Sequence, residues 1–131
     1  MTNDELSEDL IALANSMFDL ARNGAAEDLL PGIDRGAPLN IQNSNGDTML
    51  MLAAYHGHTD LVRELIRRGA DLDLLNDRGQ SPIAGAVFKD DRPTVEALLE
   101  AGADLDAGTP SARETAEYFQ RTHLIELFTQ Q

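Results

Sequence analysis

A spacing of 33 residues runs through this chain and restricts its fold more than any other feature. Gly69 and Gly102, Ala70 and Ala103, Asp71 and Asp104, Leu72 and Leu105, and Asp73 and Asp106 are each 33 apart, as are Asn43 and Asn76, Gly46 and Gly79, and Ala53 and Ala86. One step back from Gly69 lies Gly36, so RGAPLN, RGADLD and AGADLD are three copies of one turn. A unit this short cannot bury an apolar face alone, and its stability has to come from stacking on its neighbours.

The clearest copy, 43–75, reads as a turn, a short helix, a tight turn, a second helix and a glycine exit. Thr48 can cap the first helix with its hydroxyl, and Ser81 can do so in the next copy, where Pro82 occupies a position that needs no N–H donor. Leu50, Ala53 and Ala54 give the first helix a small apolar face that lets another helix approach closely. Leu61, Val62, Leu65 and Ile66 form a stripe on the second helix, with Arg63, Glu64, Arg67 and Arg68 turned outward. Gly69 then ends it in the left-handed conformation that costs glycine little.

The two ends are less regular. A long helix from about Glu5 to Asn23 carries Leu6, Leu10, Leu13, Met17 and Leu20, and the helix after it is expected to be shortened by Pro31 and Gly32. The final segment is truncated and lacks a turn glycine. The expected organisation is one domain over 1–131: an N-terminal capping repeat at 1–42, repeats at 43–75 and 76–108, and a C-terminal capping repeat at 109–131.

NSNGDTMLMLAAYHGHTDLVRELIRRGADLD resembles the ankyrin repeat almost place for place, NDRGQSPIAGAVFKDDRPTVEALLEAGADLD is a second good copy, and the ends are similar to degenerate caps. The chain departs from the family pattern where Thr-Pro-Leu-His is replaced by Thr48-Met49-Leu50-Met51 and Ser81-Pro82-Ile83-Ala84, and where Gly57-His58 becomes Asp90-Asp91. The resemblance implies an all-α solenoid of stacked helix-turn-helix units joined by hairpin-like loops. It also implies protein binding rather than catalysis, through a concave face of loop tips and inner helices. Carried over by position, the tip places fall on Gln42, Ser44, Asn45, Asp47, Asp77, Arg78, Gln80 and Arg113. The inner-helix places fall on Arg22, Asn23, Tyr55, His56, Phe88 and Lys89, with Arg121 as a further candidate.

Tyr55 and Phe88, at equivalent places, are expected to be adjacent, an arrangement that suits an interface hot spot; the alternative for Phe88 is packing under the neighbouring loop. Arg22, Arg78, Lys89, Arg113 and Arg121 make the groove less negative than the back, unless the arginines are solvated or pair with Asp47 and Asp77. The expected partner is a protein with a mixed or acidic patch and apolar anchors. A net charge of −13 argues against nucleic acid and anionic membranes.

Nothing in the sequence points to catalysis or to a cofactor. Cysteine is absent, which leaves no thiolate nucleophile or disulfide. His56-Gly57-His58 has no third ligand in sight, and DLDLLNDRG lacks the ligand pattern of a calcium loop. MTNDELSEDL carries no signal-like apolar run, so the cytoplasm is the expected location, and the chain is expected to be a monomer. Competing readings are an assembly or stabilising subunit for one enzyme, and an unrecognised enzyme or small-ligand binder.

Overall fold

The computed structural model describes residues 3–131, with side chains from Glu8 onward. Eight helices are found among these residues: α1 (Asn3–Asn23), α2 (Ala26–Asp34), α3 (Met49–Tyr55), α4 (Thr59–Arg67), α5 (Pro82–Phe88), α6 (Arg92–Glu100), α7 (Ala112–Tyr118) and α8 (Thr122–Thr129). Consecutive helices pair as hairpins. The odd-numbered ones stack as α1 on α3 on α5 on α7, and α4 packs on α6 behind them. The described residues form an all-α solenoid of stacked helical hairpins, as the resemblance implied, and none of the described helices is long and apolar enough to cross a membrane.

The helix starts follow the capping chemistry of their first residues. Thr48 Oγ1 accepts from Met51 N at 3.1 Å and Ser81 Oγ from Ala84 N at 3.2 Å. Ser111 and Glu114 form a reciprocal capping box. The ends are equally regular. Gly69 has φ +91° and donates to Ile66 O, while Ala70 donates to Leu65 O, closing the last carbonyls of α4. Gly36 and Gly102 repeat this arrangement after α2 and α6.

The core is continuous from Met17 to Phe128. Ala53, Ala86, Ala112 and Ala116 are fully buried where inner helices meet, and their single methyl groups allow the close approach. Leu61, Val62 and Leu65 fill the space between inner and outer layers, as Val95 and Leu98 do one unit later.

Three expectations are corrected. α2 is not shortened: it has nine residues, as α4 and α6 do. Pro31 is exposed, so only one intrahelical donor is lost, and the buried Leu29 and Ile33 hold the helix in place. The apolar stripe of α1 is buried only in its second half, at Met17, Phe18 and Ala21, whereas Leu10 and Leu13 are exposed. α1 is 21 residues long and α3 only 7, so the first half of α1 extends past its neighbour. Leu6 lies outside the residues whose side chains are described.

The third correction concerns register. The caps Thr48 and Ser81 are 33 apart, but Ser81 and Ser111 only 30; the helix-ending residues His56, Lys89 and Phe119 show the same steps. Three residues are missing from the loop before α7. Its hairpin tip is therefore shorter, and every equivalence carried into the last unit shifts by three.

Candidate functional site

The loop tips and the inner helices form one open groove of about 600 Å³. Met51, Leu52, Ala84, Phe88, Pro110 and Phe119 supply its apolar surface, and Arg22, Asn45, Arg78, Gln80, Tyr55 and His56 its polar edge. A second depression of about 760 Å³ lies at the elbows, over Gly24–Asp28 and Gly57–Leu61, but it is shallower and spread across the ends of the hairpins.

The tips are held by side-chain amides rather than by the missing histidines. Asn43 Oδ1 accepts from Asn45 N and Asp47 N, both at 2.9 Å, and Asn76 Oδ1 accepts from Arg78 N and Gln80 N, both at 3.0 Å. Neighbouring tips are then stitched together. Asp77 N donates to Asn45 O at 2.9 Å, Gln42 Nε2 to Gly46 O and Leu75 O, and Asn76 Nδ2 to Asp47 Oδ1 and Gln80 Oε1. Thr109 N continues the series by donating to Gly79 O. Most donors at the bend have a partner, which sets the tips against each other as one edge.

These bonds sort the residues expected at the tips. Ser44, Asn45, Asp77 and Arg78 are exposed. Gln42 and Gln80 contribute side chains to the stitching, which leaves them part of the edge's architecture. Asp47 is buried, 8% exposed, with its carboxylate taken by Asn76, so the expectation of an open tip residue is corrected. Arg113 is no tip residue either. The shortened last loop places it in the first turn of α7, where its side chain pairs with Asp106 at 3.0 Å.

The inner-helix places show a comparable division. Tyr55 and Phe88 both line the groove, at 39% and 43% exposure, but the ring packed on Phe88 is Phe119, edge to face at 5.2 Å, rather than Tyr55. Lys89 Nζ lies over the Tyr55 ring at 4.5 Å. Arg22 pairs with Asp19. Arg78 and Lys89 have no ion pair among the described residues, and neither Asp47 nor Asp77 pairs with an arginine there. Arg121 braces an elbow: its guanidinium donates to Phe88 O at 2.7 Å, as His58 Nε2 donates to Arg22 O at 2.8 Å. That contact also gives His58 its role at the elbow, and no cluster of three metal-ligating side chains occurs among the described residues.

Phe119, which lines the groove, and Tyr118, whose exposed ring packs on it at 4.9 Å, were missed, because a constant step of 33 leads from Phe88 to Arg121 rather than to Tyr118. The signal was present in the spacing of Ser81 and Ser111, since equal caps mark equal places. Gly85 was missed for another reason. It sits mid-helix in α5, where glycine costs about 1 kcal/mol relative to alanine, and its place is occupied by Leu52 in α3 and Thr115 in α7.

Burial, followed by the positive charges of Arg22, His58 and Lys89, holds the His56 imidazolium form at a disadvantage and lowers its pKa. The expected result in an NMR titration is a His56 midpoint below about 6.5, rising when Arg22 or Lys89 is replaced by alanine. The sign for stability follows. Above the unfolded-state pKa both states hold a neutral ring; as the pH falls below it the unfolded chain takes up the proton first, and the native state loses ground. A His56 midpoint at or above that of an unfolded peptide contradicts this account.

Comparison with known sequences agrees with the geometry. The pattern described as ankyrin repeats, in three copies, matches residues 17–109. An ankyrin repeat protein of Pseudomonas aeruginosa is 44% identical over 59 residues, covering 45% of this chain and 34% of that protein. Ankyrin repeat domain-containing protein 29 of Homo sapiens is 44% identical over 55 residues, 41% of this chain and 18% of its own length. The matched segments thus span about a third or less of these relatives.

Proposed function

This chain belongs to the ankyrin-repeat family, and from that premise we propose that it binds another protein through the groove between its loop tips and inner helices. Ankyrin repeats are generally protein-interaction modules and generally not enzymes. The observation that carries the reading is the composition of the groove: exposed Tyr55 and Phe88 stand on a buried apolar floor, with Arg78 and Lys89 beside them and free of intramolecular ion pairs among the described residues. Aromatic and arginine side chains on a preformed surface are what interface hot spots are made of. The tip stitching keeps that surface organised before a partner arrives, which limits the entropy lost on binding.

The opposite surface has a different character. Arg68 is held by Asp34 at 2.7 Å and by Glu64 at 2.6 Å, Arg92 by Glu96, and Arg63 and Arg67 lie within ion-pair distance of Glu100 and Glu64. The Arg68 guanidinium keeps the Asp34 and Glu64 carboxyls below their ordinary range. The Arg68–Asp34 pair ties the end of α4 to α2, and the pairs together favour solubility and leave few cations free for a partner.

The test is a pull-down from the native cell with wild type beside a Tyr55→Ala, Arg78→Ala, Lys89→Ala triple variant whose circular dichroism is unchanged. Loss of even two of these three anchors at about 2 kcal/mol each weakens a complex by roughly a thousandfold, so the specific partner disappears from the variant's eluate. Equal recovery of every protein by both baits rejects the groove.

A further inference from the structure

The row of inner-helix places facing the groove reads Leu52, Gly85 and Thr115, so the middle unit has no side chain where its neighbours have one. Tyr55 borders the resulting notch, and Phe88 and Phe119 line the same groove. A methyl group built on Gly85 meets only Tyr55 Cδ2, at 3.6 Å, an ordinary contact. Packing therefore does not require glycine at this position, and its backbone lies in the helix outside the left-handed region. Glycine is nevertheless among the least favourable residues for a helix interior. The feature it creates is a gap one side chain wide in an apolar surface.

Charge is distributed around the notch against the trend of the whole molecule. The chain carries −13, yet Arg78 stands on the tip side and Lys89 on the helix-end side, neither in an ion pair among the described residues, while Arg22 is held by Asp19. Asp47, the acidic residue that lines the same groove, is buried under the Asn76 amide. A negatively charged ligand is repelled by the rest of the surface and attracted here, which favours both encounter and orientation.

Building on the groove reading, we infer that the partner presents a short acidic segment whose single apolar side chain enters the Gly85 notch. Carboxylates flanking that anchor reach Arg78 on one side and Lys89 on the other. The notch sets which side chain is accepted, and the cations set its flanks.

The test starts from a display library of random short peptides selected on the wild-type protein. Enriched sequences carry one aliphatic or aromatic residue next to Asp or Glu. One such peptide is then synthesised and titrated against wild type, Gly85→Ala, Gly85→Leu, an Arg78→Glu, Lys89→Glu double variant and the triple alanine variant above. Gly85→Ala melts a few degrees higher than wild type because it favours the helix, yet binds the peptide more weakly; Gly85→Leu fills the notch and lowers affinity about tenfold or more. Charge reversal weakens binding comparably, and added salt weakens wild-type binding. Enrichment of basic sequences, no enrichment, or full affinity in Gly85→Leu overturns the inference. If Gly85→Leu binds normally while the triple variant does not, the notch fails and the groove stands; a peptide indifferent to both removes the groove as well.

Discussion

Ile83→Ala lowers the unfolding free energy by about 2–5 kcal/mol, and it does so for the whole array in one transition. Ile83 is fully buried in α5, which packs on α3, α6 and α7. Removing three carbons there leaves a cavity that cannot be refilled easily, since the backbones on either side are already held close by Ala53, Ala86 and Ala116. Neighbouring units supply each other's core, so a loss in the middle unit is felt on both sides. Urea titration followed by circular dichroism measures the effect. Leu10→Ala is the matched control: Leu10 is 58% exposed on the extension of α1, and its truncation changes stability by only about 0.5 kcal/mol or less. A loss below about 1 kcal/mol for Ile83→Ala, or one equal to that of Leu10→Ala, contradicts a shared core running through the stack.

The second large effect belongs to Gly46, at a tip rather than in the core. Gly46 and Gly69 both have positive φ, +78° and +91°, so alanine at either position carries a backbone cost on the order of 1 kcal/mol. Beyond that they differ. Nothing lies within 4 Å of a methyl group on Gly69, whereas one on Gly46 meets Asp77 N at 2.8 Å and Asn76 C at 3.1 Å. Those are backbone atoms and cannot rotate away. Gly46→Ala therefore has to push the next tip outward and stretch the Asp77 N to Asn45 O bond, adding about 1–3 kcal/mol over Gly69→Ala. The same displacement moves Arg78 and weakens binding of any groove ligand, whereas Gly69→Ala leaves binding unchanged. Equal melting temperatures for the two variants argue against close tip-to-tip contact.

The residues legible in the sequence were those whose role is local. Thr48, Ser81 and Ser111 cap helices because a hydroxyl before a helical run satisfies a nearby N–H, whatever surrounds it. Gly36, Gly69 and Gly102 end helices for an equally local reason, and the stripe Leu61, Val62 and Leu65 follows from helical periodicity alone. The groove was harder to read because its members are defined by what lies across from them. Asp47 has the sequence position of an open tip residue, but Asn76, 29 positions later, donates to its carboxylate. Arg121 looked like a groove cation, but its guanidinium reaches back 33 positions to Phe88 O.

The repeat, its caps and glycine exits, and hence the stacked helical hairpins, were written in residue spacing, because each depends on interactions within a few positions along the chain. Which side chains share the concave face was decided by the packing of one unit on the next. A loop shorter by three residues put Tyr118 rather than Arg121 at the place equivalent to Phe88 and set the Phe119 ring against that of Phe88, and the exposed half of α1 followed from how far its neighbour extends. Those outcomes depend on distances between segments remote in sequence, and such distances exist only once the stack has formed.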